Sequence, residues 1–218
     1  MNPIVILVIL GMVGLVVGLV MLGRYLERKR REAVTAFAEA NGYATDPDVN
    51  GFQSAMVSFK LFNQGHSRQV KNLIRVASEE VDVAVCDYEY TTGAGKNRQI
   101  HHQTICVVRS PKLSLGHFFL RRQVAVFDFL GKVFGGQDIN FDDDPEFSKT
   151  YVLQTAHLED DLRRRFGDSV RRTFVELAPK GVQVEGQGDR ILFHYGRRLK
   201  TDRFRELVDD TLNVRRLF

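Results

Sequence analysis

An uninterrupted apolar run near the N-terminus constrains this chain more than any other feature of its sequence. Ile4 to Leu22 reads IVILVILGMVGLVVGLVML, nineteen residues without a charged side chain. A helix of that length extends roughly 28 Å, close to the hydrocarbon thickness of a bilayer, and it satisfies its own backbone polar groups in lipid. We therefore predict a transmembrane anchor over residues 1–23, with the lipid bilayer contacted through residues 4–22.

The flanks of this run predict its orientation. Arg24, Arg28, Lys29, Arg30 and Arg31 follow it, whereas no Lys or Arg precedes it. The run also lacks the positive start and the Ala-x-Ala end of a cleaved signal peptide. The positive-inside rule predicts a single-pass protein with its N-terminus outside and its C-terminal domain in the cytoplasm. We expect the five basic side chains to lie at the membrane surface, where they attract anionic headgroups.

Gly14 and Gly18 form a GxxxG spacing inside the apolar run. This spacing lets two membrane helices pack closely, but glycine is also common in membrane helices generally. A homodimer through these two glycines and an anchor that does not self-associate are both compatible with the sequence.

The remaining residues suit one cytoplasmic domain. The chain has 218 residues, 44% of them hydrophobic and 27% charged, which is enough for a single core beyond the anchor. Its two cysteines, Cys86 and Cys106, are too few for a disulfide framework and fit a reducing compartment. Helical spacing of apolar residues continues past the basic cluster to Asn41-Gly42. We therefore predict a basic juxtamembrane helix over 24–42 and a domain over 43–218.

Strand patterns separated by turn residues dominate the domain. Val81–Tyr90 carries apolar residues on both faces, which predicts a central strand covered on both sides. Asp144-Pro145 predicts the start of a helix, because an acidic cap precedes a first-turn proline. Separate runs of strands and helices predict an α+β fold with a mainly antiparallel sheet packed with helices. The other predicted strands are Gln69–Ala77, Gln99–Arg109, His117–Leu120, Tyr151–Thr155, Val182–Glu185 and Arg190–Tyr195; the other predicted helices are Val124–Phe134, Leu158–Phe166, Asp168–Leu177 and one beginning near Thr201.

A Gly-Ala-Gly-Lys stretch at residues 93–96 has only part of the pattern of a phosphate-binding loop. The GxxxxGK[ST] pattern needs glycine at position 90 and a hydroxyl residue at position 97, where the chain has Tyr90 and Asn97. A strand pattern follows rather than a helix, so no helix N-terminus faces a phosphate. We interpret the stretch as a hairpin tip and predict no cofactor.

An acidic stretch is the candidate metal site. Asp138-x-Asn140-x-Asp142 begins like a calcium loop, and Asp143 and Asp144 add charge. The sixth and twelfth positions of the pattern are Asp143 and Lys149, however, instead of glycine and glutamate. An irregular metal site and an acidic turn before a helix both remain open.

Asp87 and His102 are the candidate catalytic residues. If Tyr90 pairs with Gln99 across the hairpin, Asp87 lies opposite His102, and its carboxylate can orient the imidazole as a general base. No serine elbow accompanies them, and Cys86 points to the opposite face of its strand. A catalytic pair and a structural cross-strand pair are both open.

Short arginine runs in the domain do not predict nucleic-acid binding. The net charge is only +4, and Glu159, Asp160 and Asp161 directly precede the run at 163–165. We expect no nucleic-acid partner, and contact with anionic lipid is the better functional interpretation of these runs.

Three stretches resemble a family of bacterial single-pass membrane proteins whose activity is uncharacterised. They are Asp87–Gly93 (DYEYTTG), Gly135–Phe141 (GGQDINF) and Pro145–Phe147 (PEF). In that family a short N-terminal anchor precedes a domain with a DYxYTTG-type hairpin, and the resemblance covers roughly residues 37–195. It implies a bacterial inner-membrane location and a scaffold role for Gly135–Phe141, and it brings no catalytic residue.

These observations favour a membrane-anchored cytoplasmic domain that binds a partner or assists assembly at the bacterial inner membrane, without enzymatic activity. The first alternative is a membrane-bound hydrolase or metal-dependent enzyme that uses Asp87 and His102 or the Asp138–Asp144 cluster. The second is an anionic-lipid-binding module.

Overall fold

The computed structural model describes residues 3–123, 137–155 and 159–218 of the chain. The predicted helix Val124–Phe134 lies outside these residues, and so does the start of the predicted helix Leu158–Phe166. Short 3₁₀ turns connect several elements. The helices are α1 (Pro3–Asn41), α2 (Val49–Ala55), α3 (Pro145–Thr150), α4 (Glu159–Arg165), α5 (Asp168–Leu177) and α6 (Phe204–Arg215).

The strands of the described residues form one antiparallel sheet in the order β1-β2-β3-β4-β9-β8-β5-β7-β6. Helices pack against this sheet, which confirms the predicted α+β class. As predicted, β3 is central, since it pairs with β2 on one side and β4 on the other. The strands are β1 (Ala44–Thr45), β2 (His66–Ala77), β3 (Asp82–Thr92), β4 (Gln99–Arg109), β5 (Leu115–Arg122), β6 (Gln137–Ile139), β7 (Tyr151–Thr155), β8 (Gln183–Gly188) and β9 (Arg190–His194).

Each face of the sheet has its own hydrophobic core. On one face, residues of α1, α3, α4, α5 and α6 form one core with buried strand residues, which include the fully buried Val85 of β3. On the other face, the segment 49–63, which includes α2, covers Tyr88 and Tyr90. The ring of Phe62 lies 4.5 Å from that of Tyr88, between centroids. The alternation of β3 thus supplies side chains to both cores, each buried aromatic stabilising the fold by about 1.5–3 kcal/mol.

α1 is continuous from the apolar run into the domain, as predicted. Val34 and Ala38 are buried in the first core, and the ring of Phe37 packs edge-on against that of Phe204 at 5.3 Å. Gly42 ends the helix in the left-handed conformation, with a φ of +74°. The juxtamembrane helix therefore shares the core of the domain, and residues 43–218 alone lack one of its walls.

The GxxxG spacing lies on the exposed part of α1. A Cβ added at Gly14 or Gly18 would meet nothing within 4 Å in the described chain. The helix surface has room there for a second helix, and self-association through these glycines stays a prediction.

Candidate functional site

A buried carboxylate connects α1 to the sheet. Asp87 on β3 is 4% exposed, and it accepts hydrogen bonds from Arg30 Nε at 2.9 Å and Arg30 Nη2 at 2.8 Å. Asn72 Nδ2 and Thr104 Oγ1 also donate to it, each at 2.9 Å. A bidentate arginine and two neutral donors therefore satisfy both carboxylate oxygens, which is the arrangement that a buried charge requires.

A second ion pair extends this contact toward the N-terminal part of α1. Arg198 donates to the carboxylate of Glu27 at 2.8 and 3.2 Å, and to Asp87 Oδ2 at 3.2 Å. Glu27 precedes Arg30 by three residues, so the two side chains share one face of the helix. We call Glu27, Arg30, Asp87 and Arg198 the anchor cluster, because these four residues hold α1 on the sheet.

The anchor cluster keeps Asp87 ionised. Burial raises the pKa of the Asp87 carboxyl, but the hydrogen bonds and charge of Arg30, together with the charge of Arg198, leave that pKa below its ordinary value. A carboxylate in two ion pairs is a weak proton acceptor. The chemistry of this site is therefore attachment of the helix rather than general-base catalysis.

Arg30 differs in exposure from the other four residues of the basic cluster predicted at the membrane surface. Its side chain is only 13% exposed, because its guanidinium is committed to Asp87 and stacks 5.0 Å from the ring centroid of Phe204. The other four residues of the basic cluster are exposed, in agreement with a location beside a membrane: Arg24, Arg28, Lys29 and Arg31.

The hairpin register differs by two residues from the one assumed for Asp87 and His102. β3 continues to Thr92, which pairs with Gln99. The turn therefore starts two residues later than assumed, at Gly93, where φ is +68° and a Cβ would collide with the carbonyl of Asn97. As the sequence predicted, residues 93–98 form a hairpin tip between two strands.

This register separates the two candidate catalytic residues. Asp87 lies opposite Thr104, and His102 lies opposite Glu89, with 3.2 Å between His102 Nδ1 and Glu89 Oε2. The Glu89 carboxylate also accepts from Lys71 Nζ at 2.9 Å. His102 thus belongs to a half-exposed surface pair, and it does not touch Asp87 as the assumed register required.

The two cysteines are placed where they do not act as nucleophiles. Both are buried and unpaired with each other. Burial raises the pKa of the Cys106 thiol to about 12, and it raises that of Cys86 well above its ordinary value. Both thiols therefore stay protonated at neutral pH, whereas the thiolate is the reactive form.

The acidic stretch before α3 surrounds an arginine. Arg171 of α5 is buried and donates from Nε to Asp144 Oδ2 and from Nη2 to Asp143 Oδ2, each at 2.9 Å. Asp144 Oδ1 caps α3 by accepting from the Phe147 amide at 3.0 Å, which confirms the predicted helix start. The guanidinium also lies 4.5 Å from the ring centroid of Phe141.

The candidate metal ligands do not converge. Asp138 is on β6, where its Oδ1 accepts from Gln154 Nε2 at 2.7 Å, while Asp144 faces Arg171 and Asp142 is exposed. Within residues 3–123, 137–155 and 159–218, no three His, Cys, Asp or Glu side chains are close enough to hold an ion. The observed arrangement corresponds to the open alternative of an acidic turn before a helix.

Sequence reasoning missed a second buried carboxylate. Glu185 of β8 is 1% exposed; its Oε1 accepts from the Lys60 amide and lies near His117 Nε2, both at 2.6 Å. Its Oε2 accepts from the Leu61 amide at 3.4 Å. These bonds attach the segment 49–63 to the sheet. No local signal marks Glu185, because its partners are distant in the chain and two of them are backbone groups.

A cleft opens beside the anchor cluster, between α1 and the edge of the sheet. Its volume is about 690 Å³, within the usual range for ligand sites. We call it the juxtamembrane cleft, because it begins at Glu27, shortly after the apolar run. The residues that line it are Glu27, Arg31, Val34, Thr35, Thr45, Asp46, Pro47, Val49, Val70, Lys71, Asn72, Leu73 and Ile74.

His194 gives the domain a pH-dependent stability. Burial lowers the pKa of this imidazole to about 3, whereas an unfolded histidine titrates near 6.5. As the pH falls below about 6.5 the unfolded chain binds a proton that the folded chain excludes, so stability falls until about pH 3. Urea titrations of the detergent-solubilised chain should show about 2 kcal/mol less stability at pH 5 than at pH 7.

Replacement of the ring tests this assignment. Asparagine at position 194 offers an oxygen in place of Nδ1, which accepts from the Gly196 amide at 3.0 Å. His194→Asn should therefore flatten the loss of stability between pH 7 and 5. His102→Asn, at an exposed position, is the control and should leave it unchanged. An unaltered slope in His194→Asn would assign the pH dependence to other groups.

The fold and the site together define a class: an apolar helix that continues without a break into an α+β domain. Among the described residues, α1 is the one helix long and apolar enough to cross a membrane, with a mean hydropathy of 2.0 and no part of that window buried. This supports a membrane anchor. No family model matches the chain, and no curated protein matches it either.

One solved structure has a similar fold. It is the crystal structure of the mycobacterial trehalose monomycolate transport factor A, TtfA, with a TM-score of 0.54 and 12% sequence identity. The match covers 88% of this chain and 93% of that chain. At this identity the likeness concerns the fold, which recurs over nearly the whole length of both chains.

Proposed function

We propose that this protein is a non-enzymatic accessory factor that binds a protein partner at the bacterial inner membrane, with its N-terminus outside and its domain in the cytoplasm. The observation that carries the proposal is the continuity of α1, which enters the domain core and is fixed there by the anchor cluster. An enzyme whose activity does not depend on its orientation at the membrane needs only a flexible linker to its anchor. A rigid connection sets the height and tilt of the domain above the bilayer, which serves recognition of another membrane protein.

The dimensions of α1 limit where that partner lies. About 19 residues of helix follow the apolar run before Gly42, and at 1.5 Å per residue they extend roughly 28 Å from the bilayer core. The domain is therefore held against the membrane surface. The partner surface should lie within the same layer, on the cytoplasmic side of a membrane complex.

The structural neighbour indicates which partners to test first. TtfA is described as a transport factor for trehalose monomycolate. A shared fold does not transfer an activity, so we take from it only a class of partner: proteins of a membrane transport complex. The alternative of a hydrolase using Asp87 and His102 is weakened by their placement, since Asp87 is paired with Arg30 and His102 is paired with Glu89.

A linker insertion tests the proposal. The full chain, tagged at its C-terminus and extracted in mild detergent, should co-purify in stoichiometric amount with a membrane transport protein. A flexible Gly-Ser linker of about ten residues, placed between Gly23 and Arg24, keeps both the anchor and the domain but removes the rigid connection. We expect recovery of the partner to fall several-fold in that variant.

The matched control carries the same linker at the hairpin tip, between Ala94 and Gly95, where α1 stays continuous. It should retain the partner. Recovery of this chain alone, from cells at several growth stages, would count against a partner-binding role. Equal recovery with both insertions would count against a rigid connection as its basis.

A further inference from the structure

The juxtamembrane cleft has the shape and position of a binding site that the proposed partner does not require. One wall is α1, with Arg31 and Thr35, and the other is the sheet edge, with Thr45 of β1 and Asn72 of β2. Val49 of α2 closes one side. The lining is partly apolar and partly charged, as expected for a site that receives an amphiphilic molecule.

The position of the cleft along α1 places its mouth just beyond the layer of lipid headgroups. Glu27 and Arg31 follow Leu22 by five and nine residues, which corresponds to roughly 8–14 Å of helix beyond the apolar run. The headgroup layer on one side of a bilayer is roughly 5–8 Å thick. A lipid that rises slightly from the cytoplasmic leaflet therefore reaches the cleft without leaving the membrane.

Of the charged side chains that line the cleft, Arg31 has no oppositely charged partner among the described residues. Both acids of the lining are paired, Glu27 with Arg198 and Asp46 with Arg75, the latter at 2.8 Å. Lys71 is paired with Glu89. Arg31 is exposed and has no ion pair among the described residues. Its guanidinium is thus available for a phosphate, the group it recognises best.

The back wall of the cleft contains a residue in the left-handed backbone conformation. Asn72 has a φ of +53°, unusual for a residue with a side chain, and it lies in a bulge where the pairing of β2 with β3 shifts between Lys71 and Ile74. The Asn72 amide is turned toward Asp87 and donates to its Oδ2 at 2.9 Å. The back wall of the cleft is therefore fixed by the anchor cluster.

We propose that the juxtamembrane cleft binds the headgroup of an anionic phospholipid from the cytoplasmic leaflet. The phosphate contacts Arg31 at the mouth, and the polar group esterified to that phosphate lies against Val49 and Pro47. The two acids of the lining are each neutralised by an arginine, so that one anionic headgroup is accommodated. The domain then senses the lipid that surrounds its own anchor.

The test uses the full chain, reconstituted with phosphatidylcholine and phosphatidylglycerol and then transferred to a neutral detergent for native mass spectrometry. The wild-type chain should retain one phosphatidylglycerol in preference to phosphatidylcholine. Arg31→Gln should weaken retention by about tenfold, since it removes a charge-assisted hydrogen bond. Thr45→Trp should weaken it as well, because the indole fills the cleft. Circular dichroism melting curves confirm that both variants fold.

Arg28→Gln is the matched control. It removes one charge from the same helix, but Arg28 is paired with Glu32 at 3.5 Å and does not line the cleft. It should retain the lipid. Equal losses in Arg28→Gln and Arg31→Gln would assign binding to diffuse attraction by the basic cluster and overturn the cleft. Displacement of the lipid by millimolar glycerol phosphate would overturn the lipid source and indicate a soluble phosphate ester.

Discussion

Replacement of Asp87 by asparagine is expected to lower the free energy of unfolding by about 3 kcal/mol or more. Asparagine has nearly the same shape, but it leaves the guanidiniums of Arg30 and Arg198 without the buried anion between them. The C-terminal half of α1 should then separate from the sheet. Urea unfolding in detergent micelles, followed by circular dichroism, measures the loss. Trypsin cleavage after Arg30 and Arg31 should become rapid in the same variant.

Glu89→Gln is the control for this experiment. Glu89 lies two residues further along the same strand and on the same face, but its ion pair with Lys71 is partly exposed. We expect a loss of less than about 1 kcal/mol. The double variant Arg30→Gln, Asp87→Asn should lower the free energy of unfolding by less than the sum of the two single variants, because the two groups interact. Strictly additive losses would contradict a direct contact between Arg30 and Asp87.

Replacement of Arg171 by methionine is expected to have the second large effect. It should lower the free energy of unfolding by about 2–3 kcal/mol. Methionine keeps the apolar stem, but it leaves the Phe166 carbonyl without its donor and leaves Asp143, Asp144 and Asp168 without their cation. Repulsion between these carboxylates should loosen the start of α3. Thermal unfolding of the full chain in detergent measures the change.

Arg164→Met serves as the matched control for Arg171. Arg164 belongs to a neighbouring helix, and its side chain is 71% exposed in a pair with Asp161. Arg164→Met should change the free energy of unfolding by no more than about 0.5 kcal/mol. If both variants lose the same stability, the buried ion pairs of Arg171 with Asp143, Asp144 and Asp168 do not account for the loss. A rise in the wild-type melting temperature with millimolar calcium would instead support a metal at the acidic stretch.

The parts of the fold that local pattern encodes were predictable. The two-faced apolar pattern of β3 indicated its central place, and Asp144-Pro145 indicated the start of α3, because both signals lie within a few consecutive residues. The layer formed by residues 49–63 was not predicted. Its apolar residues follow neither the helix nor the strand period, since a short helix and 3₁₀ turns alternate there.

The candidate site was predicted only in part, because its geometry depends on long-range pairing. Asp87 was singled out by residue type and by the DYEYTTG stretch, but its partner was taken to be His102. The register changed by two when the turn began at Gly93, a choice made by backbone conformation rather than by side-chain pattern. Arg30 looked like its basic neighbours, and only the fold distinguishes it from them.

The long reach of the anchor cluster has a consequence for biosynthesis. Arg30 and Asp87 are separated by 57 positions in the chain, and Glu27 and Arg198 by 171. A ribosome makes α1 long before its partner, so Glu27 has no contact with Arg198 until residue 198 has been translated. Phe204 of α6, which packs on Phe37 of α1, is made later still. With α1 in the membrane as proposed, this contact is completed beside the bilayer, and a ribosome that stalls before residue 198 leaves the helix without it.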